Sequence, residues 1–167
     1  MLDNDFTQTL GKIGRELEKP NAVMMISAHW ETKGTFVSVN IKPKAIYDFG
    51  NIDDRLLQIK YEPAGHPELA KKVIETAPDH NIQEDLSMGL DHGAWTVLKH
   101  LYPKADIPVF ELSIDQTQPA EYHFQLANAL KKMREKGVLI ICSGNIVHNL
   151  KVIDWNNITA KPLDWAI

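Results

Sequence analysis

The sequence Val23-Met24-Met25-Ile26-Ser27-Ala28-His29-Trp30 decides the fold of this chain. Its apolar residues follow one another without alternation, which is typical of a strand covered on both faces, as in a parallel sheet. The apolar run leads directly to His29. Because ligands bind beyond the carboxyl ends of the strands in open α/β sheets, His29 is a candidate functional residue.

A second stretch repeats this pattern. Residues 137–142, Gly-Val-Leu-Ile-Ile-Cys, lead into the loop Ser143-Gly144-Asn145-Ile146-Val147-His148. A third histidine, His92, follows Asp91, a residue type that often caps helices. Imidazole is the commonest metal ligand and the commonest proton carrier near neutral pH. We predict that His29, His92 and His148 converge on one site. The remaining histidines are interpreted as structural: His66, His80, His100 and His123.

Helical and strand patterns alternate along the chain. Helices are predicted to follow Asp5 and Asp91 as caps, and to begin at Pro67 and Pro119. Further strands are predicted at 35–39, within 81–89, at 108–114 and at 138–142, whereas 55–61 fits a short strand or a short helix. This order predicts an α/β fold, with a mostly parallel central sheet and helices on both faces, in one domain over residues 1–167.

The composition is that of a globular protein, with 44% hydrophobic and 24% charged residues. The 18 basic and 22 acidic residues give a formal net charge of −4 without a basic stripe, which argues against a nucleic-acid partner. The single cysteine, Cys142, excludes an intramolecular disulfide. No apolar run approaches the ~20 residues of a membrane helix. We therefore expect a cytoplasmic protein without a membrane partner.

Aromatic and polar residues near the histidines have two interpretations. Trp30 and Trp95 are either core aromatics, which we favour, or a wall for an aromatic substrate. The segment Tyr47-Asp48-Phe49-Gly50 is either a turn or a loop over the site. The chain has no HExxH, CxxC, P-loop or GxGxxG motif, so the enzyme classes built on them lack support. The candidate substrate-binding residues are Trp30, Asp48, Trp95 and Asn145.

Six segments resemble, in the same order, motifs of the class III extradiol ring-cleaving dioxygenases, and most closely the 4,5-DOPA dioxygenase extradiol group. The resemblance covers nearly all of the chain. The segments are Ser27-Ala28-His29-Trp30, Tyr47-Asp48-Phe49-Gly50, Tyr61-Glu62-Pro63-Ala64-Gly65, Asp91-His92-Gly93-Ala94-Trp95, Leu112-Ser113-Ile114-Asp115 and Ser143-Gly144-Asn145-Ile146-Val147-His148-Asn149-Leu150.

This resemblance implies a non-haem metal enzyme that opens the ring of a catechol, such as DOPA, with O2. It implies that His29 is a metal ligand and that His148 lies at the metal and the substrate, as the catalytic base or as a further ligand. It also implies that His92 lines the substrate pocket as a second catalytic residue. Fe(II) is the expected cofactor. Zn(II) could occupy the same nitrogen ligands but would not activate oxygen.

The chain also departs from the family pattern. Family members carry a His-Gly-Ser-Pro type motif, whose histidine is a metal ligand, before the segment that matches Met1. They carry another metal ligand after the segment that matches 162–166. We therefore expect a partial domain that lacks the first strand and the C-terminal part, and negligible turnover by this polypeptide alone. A missing strand would leave a sheet edge or an apolar groove beside the strand that carries His29, and would favour a homo-oligomer. The alternatives are a metal-dependent hydrolase and an inactive truncated domain.

Overall fold

The computed structural model of the chain describes residues 3–49 and 54–145. Four α-helices and seven strands are found in these ranges. In chain order they are α1 (Asp5–Glu16), β1 (Ala22–Ser27), β2 (Glu31–Thr32), β3 (Phe36–Ser38), α2 (Pro67–Thr76), β4 (Gln83–Asp85), α3 (His92–Leu101), β5 (Val109–Glu111), β6 (Ile114–Asp115), α4 (Ala120–Leu130) and β7 (Val138–Ser143). Short 3-10 helices lie at Leu56–Gln58, Pro78–His80 and Lys131–Lys136.

The central sheet contains three strands in the order β5-β1-β7, and both of its pairings are parallel. Two smaller parallel pairs, β2 with β6 and β3 with β4, flank it. The carboxyl ends of the three central strands therefore meet at one edge of the sheet. The predicted α/β architecture with a mostly parallel sheet is confirmed.

Strand β1 is buried on both faces, as its unbroken apolar run predicts. Ala22 and Met24 belong to a core cluster that includes residues of α2 and α4. Val23 and Met25 belong to a second cluster that includes residues of α3. None of these four side chains has any exposed surface. Helices therefore cover both faces of the sheet, as predicted.

Several element boundaries differ from those predicted. The cap of α1 is Asn4 rather than Asp5, because the Asn4 side chain accepts from the Thr7 backbone N–H while the Thr7 hydroxyl accepts from that of Asn4. Residues 55–61 contain a 3-10 turn. The predicted strand 108–114 is two strands, β5 and β6, with different partners. Strand β7 extends to Ser143, one residue beyond the predicted end, and the side chain of Cys142 within it is exposed.

The predicted sheet edge does not lie beside the strand that carries His29. Strand β1 is the central strand, with β5 on one side and β7 on the other. The alternative of an apolar groove, and the missing first strand itself, stay predictions. Within the described residues, the open edges of this sheet therefore lie along β5 and β7. In the same part of the chain, no helix is both long enough and apolar enough to span a membrane.

Candidate metal centre

His29 lies two residues beyond β1, at the carboxyl edge of the sheet. Its backbone N–H donates to the hydroxyl of Ser27, the last residue of the strand, over 3.2 Å. The backbone N–H of Ala28 donates to the carbonyl of Ser143 at the end of β7 over 2.9 Å. These bonds fix the turn, and the His29 side chain remains about one-third exposed.

His92 reaches the same place from the opposite direction, at the first residue of α3. The side chain of Asp91 caps the helix by accepting from the Ala94 backbone N–H over 3.0 Å. The rings of His29 and His92 are tilted by 51°, with their centroids 3.9 Å apart. The predicted convergence is therefore confirmed for this pair.

Asp48 joins the two histidines from the irregular segment between β3 and α2. Its Oδ1 accepts from the His92 backbone N–H over 2.9 Å and lies 2.9 Å from Nδ1 of the His92 ring. Its Oδ2 lies 4.0 Å from Nδ1 of His29. Partial burial alone would raise the pKa of Asp48. The hydrogen bonds from the backbone N–H and the imidazole of His92 lower it by more, so the pKa of Asp48 is below its ordinary value. Asp48 is therefore ionised at neutral pH.

The donor atoms of His29, Asp48 and His92 suit a divalent transition metal. One ligand atom from each residue lies within 4.8 Å of the other two. Nδ1 of His92 is buried and lies 2.9 Å from Oδ1 of Asp48. A metal ion could replace the proton between these two atoms. Two imidazoles and one carboxylate are the donor set associated with non-haem Fe(II) oxygenases, in which it leaves coordination positions open.

Aromatic rings form one side of this centre. Phe49 meets His92 edge to face, with the ring centroids 5.6 Å apart, and also contacts Tyr47 and Trp95. Trp95 is completely buried, and its Nε1–H donates to the carbonyl of Ile46 over 2.9 Å. Trp95 is thus a core residue behind Phe49, in line with the favoured interpretation, and does not line an open wall. Trp30 is also buried.

The loop after β7 approaches the same edge of the sheet. A Cβ on Gly144 would lie 3.1 Å from the Cβ of Ala28, the residue before His29, so the two strand ends are closely packed. Asn145, the last residue described in this part of the chain, is exposed. His148 lies outside the described residues, and its role as base or ligand stays a prediction.

The other histidines have separate surroundings. His66 caps α2, with its Nδ1 accepting from the Leu69 backbone N–H over 3.3 Å. His80 packs against Tyr122, and His123 lies 3.1 Å from the carbonyl of Asp115. His100 lies in the last turn of α3. None of them is part of the His29–Asp48–His92 group, as predicted.

Two features of this site were not predicted from the sequence. Asp48 and His92 were predicted at the substrate, and those roles stay predictions; their closeness to His29 makes them candidate metal donors as well. Phe49 was not singled out. Glu111, an acidic residue inside the apolar run of β5, was also missed, although it is completely buried beneath the site. A charged residue at a strand position that should be buried on both faces was the available signal.

Comparison with known proteins places these observations in a family. Residues 2–163 match the model of the catalytic LigB subunit of aromatic ring-opening dioxygenase. The chain is 39% identical over 165 residues to 4,5-DOPA dioxygenase extradiol of Escherichia coli K12, covering 98% of this chain and 60% of that protein. It is 42% identical over 134 residues to the Beta vulgaris protein of the same name, covering 78% of this chain and 50% of that protein.

A solved structure agrees with this match. The crystal structure of the uncharacterized protein JW3007 from Escherichia coli K12 superposes with a TM-score of 0.83 at 36% sequence identity. The superposition covers 99% of this chain and 62% of that one. The chain thus spans between half and two-thirds of the length of these relatives.

Proposed function

The chain belongs to the family of the catalytic LigB subunit of aromatic ring-opening dioxygenases, and from this premise we propose that it opens the ring of a catechol with O2 at a non-haem Fe(II). The observation that carries the proposal is the convergence of His29, Asp48 and His92 at the carboxyl edge of a parallel sheet. Bacterial and plant relatives are named for DOPA, so a DOPA-like catechol is the proposed substrate class.

Each residue of the site has a proposed task. His29, Asp48 and His92 hold the metal as two neutral imidazoles and one carboxylate. Bound Fe(II) supplies the redox chemistry and the open positions at which a catechol and O2 can meet. The ionised Asp48 offsets part of the positive charge at this centre, and Phe49 beside His92 offers a ring against which the aromatic substrate can lie.

His148 is the proposed base that removes a catechol hydroxyl proton, because a histidine has a pKa near the working pH. This assignment is supported by the resemblance of its segment to the family motif. Asn145 remains a proposed contact of the substrate, whereas Trp30 and Trp95, which are both buried, are proposed as core residues. We also propose a cytoplasmic location, no nucleic-acid partner, and self-association of the chain as a homo-oligomer.

We expect oxygen uptake that depends on both Fe(II) and catechol. The test is to load the purified chain with Fe(II) without oxygen, and then to follow oxygen consumption with catechol and with DOPA. The same protein loaded with Zn(II) is the control, because zinc has no redox chemistry and should consume no oxygen. A protein that retains Fe(II) but consumes no oxygen with any catechol would contradict the proposal.

The earlier expectation of negligible turnover assumed only two histidines near the metal. The described residues bring Asp48 and His92 to His29, so we expect this chain to retain a divalent metal. The same oxygen measurement tests the hydrolase alternative, because a hydrolase would use these donors to activate water and would consume no oxygen. Membership of a dioxygenase family does not favour that alternative.

Replacing Phe49 with alanine is expected to raise the KM for catechol by roughly 2- to 10-fold, with a smaller change in kcat. An aromatic pair contributes ~0.5–1.5 kcal/mol beyond its buried area, and ~1.4 kcal/mol corresponds to tenfold in affinity. The measurement is steady-state oxygen uptake across catechol concentrations.

Phe124→Ala is the matched control for this variant. Phe124 is 66% exposed on α4, away from the His29–Asp48–His92 group, so its removal should leave the KM unchanged. Equal KM values for Phe49→Ala and the unmodified chain would exclude Phe49 from substrate contact.

A further inference from the structure

Two carboxyl groups lie buried against each other beneath the metal centre. Glu111, the last residue of β5, is 0% exposed, and Asp91, before α3, is 2% exposed. The Asp91 backbone N–H donates to Oε1 of Glu111 over 3.2 Å. The backbone N–H of Glu111 in turn donates to the hydroxyl of Ser38 over 2.8 Å. The Asp91 backbone therefore fixes the carboxyl group of Glu111, and the Ser38 hydroxyl fixes the Glu111 backbone.

One oxygen of each carboxyl group lacks a donor. Oδ2 of Asp91 and Oε2 of Glu111 are buried without a hydrogen-bond partner among the described residues. Two ionised carboxylates accept but cannot donate, so they could not satisfy each other. A proton on Glu111 would satisfy both oxygens at once. Burial, and then the charge of Asp91, raise the pKa of Glu111 to about 10, which agrees with a neutral carboxyl group at pH 7.

Asp91 connects this pair to both histidines. Its Oδ1 accepts from the Ser27 hydroxyl over 2.7 Å and from the Ala94 backbone N–H over 3.0 Å. The same Ser27 oxygen accepts from the backbone N–H of His29. Asp91 thus fixes the turn that carries His29 and the first turn of α3, which begins with His92.

The packing around Asp91 leaves little room for adjustment. A Cβ on Gly93 would lie 2.5 Å from Oγ of Ser27, 3.0 Å from Oδ1 of Asp91 and 3.1 Å from Cδ2 of His29. The strand end and the start of the helix therefore meet without an intervening side chain. A rotation of the Asp91 carboxyl group would disturb Ser27 and the cap of α3 together.

We propose that Glu111 is a positioning residue, whose neutral carboxyl group donates a hydrogen bond to Oδ2 of Asp91 and thereby holds His29 and His92 at their metal-binding separation. The metal part of this inference rests on the proposed function. The hydrogen-bond part rests on the buried pair alone. Glu111 itself is not a ligand and does not touch the substrate.

Two substitutions at Glu111 test the proposal. Glu111→Gln keeps a neutral donor and an acceptor of the same shape, so Co(II) affinity should stay within about 3-fold of the unmodified chain. Glu111→Leu removes both hydrogen-bonding groups, and Co(II) affinity should fall about 10- to 100-fold, as for other groups that orient metal ligands. The Co(II) absorption spectrum should change in Glu111→Leu and be restored in Glu111→Gln. Glu84→Leu, at an exposed position of β4, is the matched control and should change neither.

Infrared spectroscopy tests the proton without metal. The unmodified chain at pH 7 should show the carbonyl stretch of a buried protonated carboxyl group, and Glu111→Gln should lack it. Absence of this band in the unmodified chain overturns the proposal, even if the chain binds no Co(II).

The metal measurements separate this inference from the proposed function. An unmodified chain that binds no Co(II) contradicts the proposed metal site. Equal Co(II) affinity in the unmodified chain and in folded Glu111→Leu overturns the positioning role alone. Circular dichroism checks folding of each variant. If Glu111→Leu does not fold, a large loss of Co(II) affinity in Glu111→Gln would still overturn the proposal, and retained affinity together with the infrared band would support it.

Discussion

Replacing His29 with alanine is expected to lower the affinity of the chain for Fe(II), Co(II) or Zn(II) by at least about 100-fold. The variant loses one of three donors, and loss of groups that merely orient a ligand already costs about 10- to 100-fold. The remaining pair, Asp48 and His92, lies 2.9 Å apart at its closest atoms and could hold a metal only from one side. The measurement is titration calorimetry with Co(II), together with the metal content after dialysis against a weak chelator.

His100→Ala is the control for this prediction. His100 is on α3, like His92, but lies in the last turn of the helix, away from the His29–Asp48–His92 group. Its substitution should leave the metal affinity unchanged, so a general effect of histidine removal would be recognised. Metal content in His29→Ala equal to that of the unmodified chain would exclude the proposed centre.

The position of His29 could be predicted because it depends on local sequence. An unbroken apolar run specifies a strand buried on both faces, and the first polar residues after the run lie at the edge where ligands bind. The position of Asp48 between His29 and His92 could not be predicted from an apolar run. It lies in an irregular segment, and its 2.9 Å hydrogen bond from the His92 backbone depends on how that segment packs on α3.

The division of 108–114 into two strands shows a similar limit of apolar runs. The backbone N–H of Leu112 donates to Met25 in β1, that of Ser113 to Phe36 in β3, and that of Ile114 to Trp30 before β2. The chain therefore changes partner at successive residues without any change in apolar character. Hydrophobicity predicts that these residues are buried, but it does not identify the strand that they pair with.

Trp95 illustrates the same difference between burial and function. Its place on the buried stripe of α3 could be predicted from helical spacing, and it is completely buried. The ring that faces His92 is instead Phe49, in the preceding irregular segment. Trp95 follows His92 by three residues and so lies on a similar side of α3, yet it is completely buried. Helical spacing therefore does not distinguish a core tryptophan from one that contacts a substrate.

The two glycines of α1 should respond in opposite ways to alanine. A Cβ on Gly14 would lie 1.9 Å from the carbonyl oxygen of Leu101 and 2.8 Å from its carbon, so α1 and α3 touch through their backbones there. A Cβ on Gly11 would meet only Arg15 Nη1, at 3.4 Å, and the His100 carbonyl oxygen, at 3.6 Å. Helix propensity alone treats the two glycines alike, because each is unfavourable inside a helix.

Gly14→Ala is expected to lower the free energy of unfolding by about 2–3 kcal/mol, because a backbone carbonyl cannot rotate away and α1 must shift outward. Gly11→Ala is expected to raise it by about 0.5–1 kcal/mol, since alanine has the higher helix propensity and the space is free. For a chain of this size, ~1 kcal/mol corresponds to about 2–4 °C in Tm. The Tm of Gly14→Ala should therefore be lower than that of the unmodified chain, and the Tm of Gly11→Ala should be higher. Thermal unfolding followed by circular dichroism measures both. Equal stabilisation by the two substitutions would show that α1 does not contact α3 through Gly14.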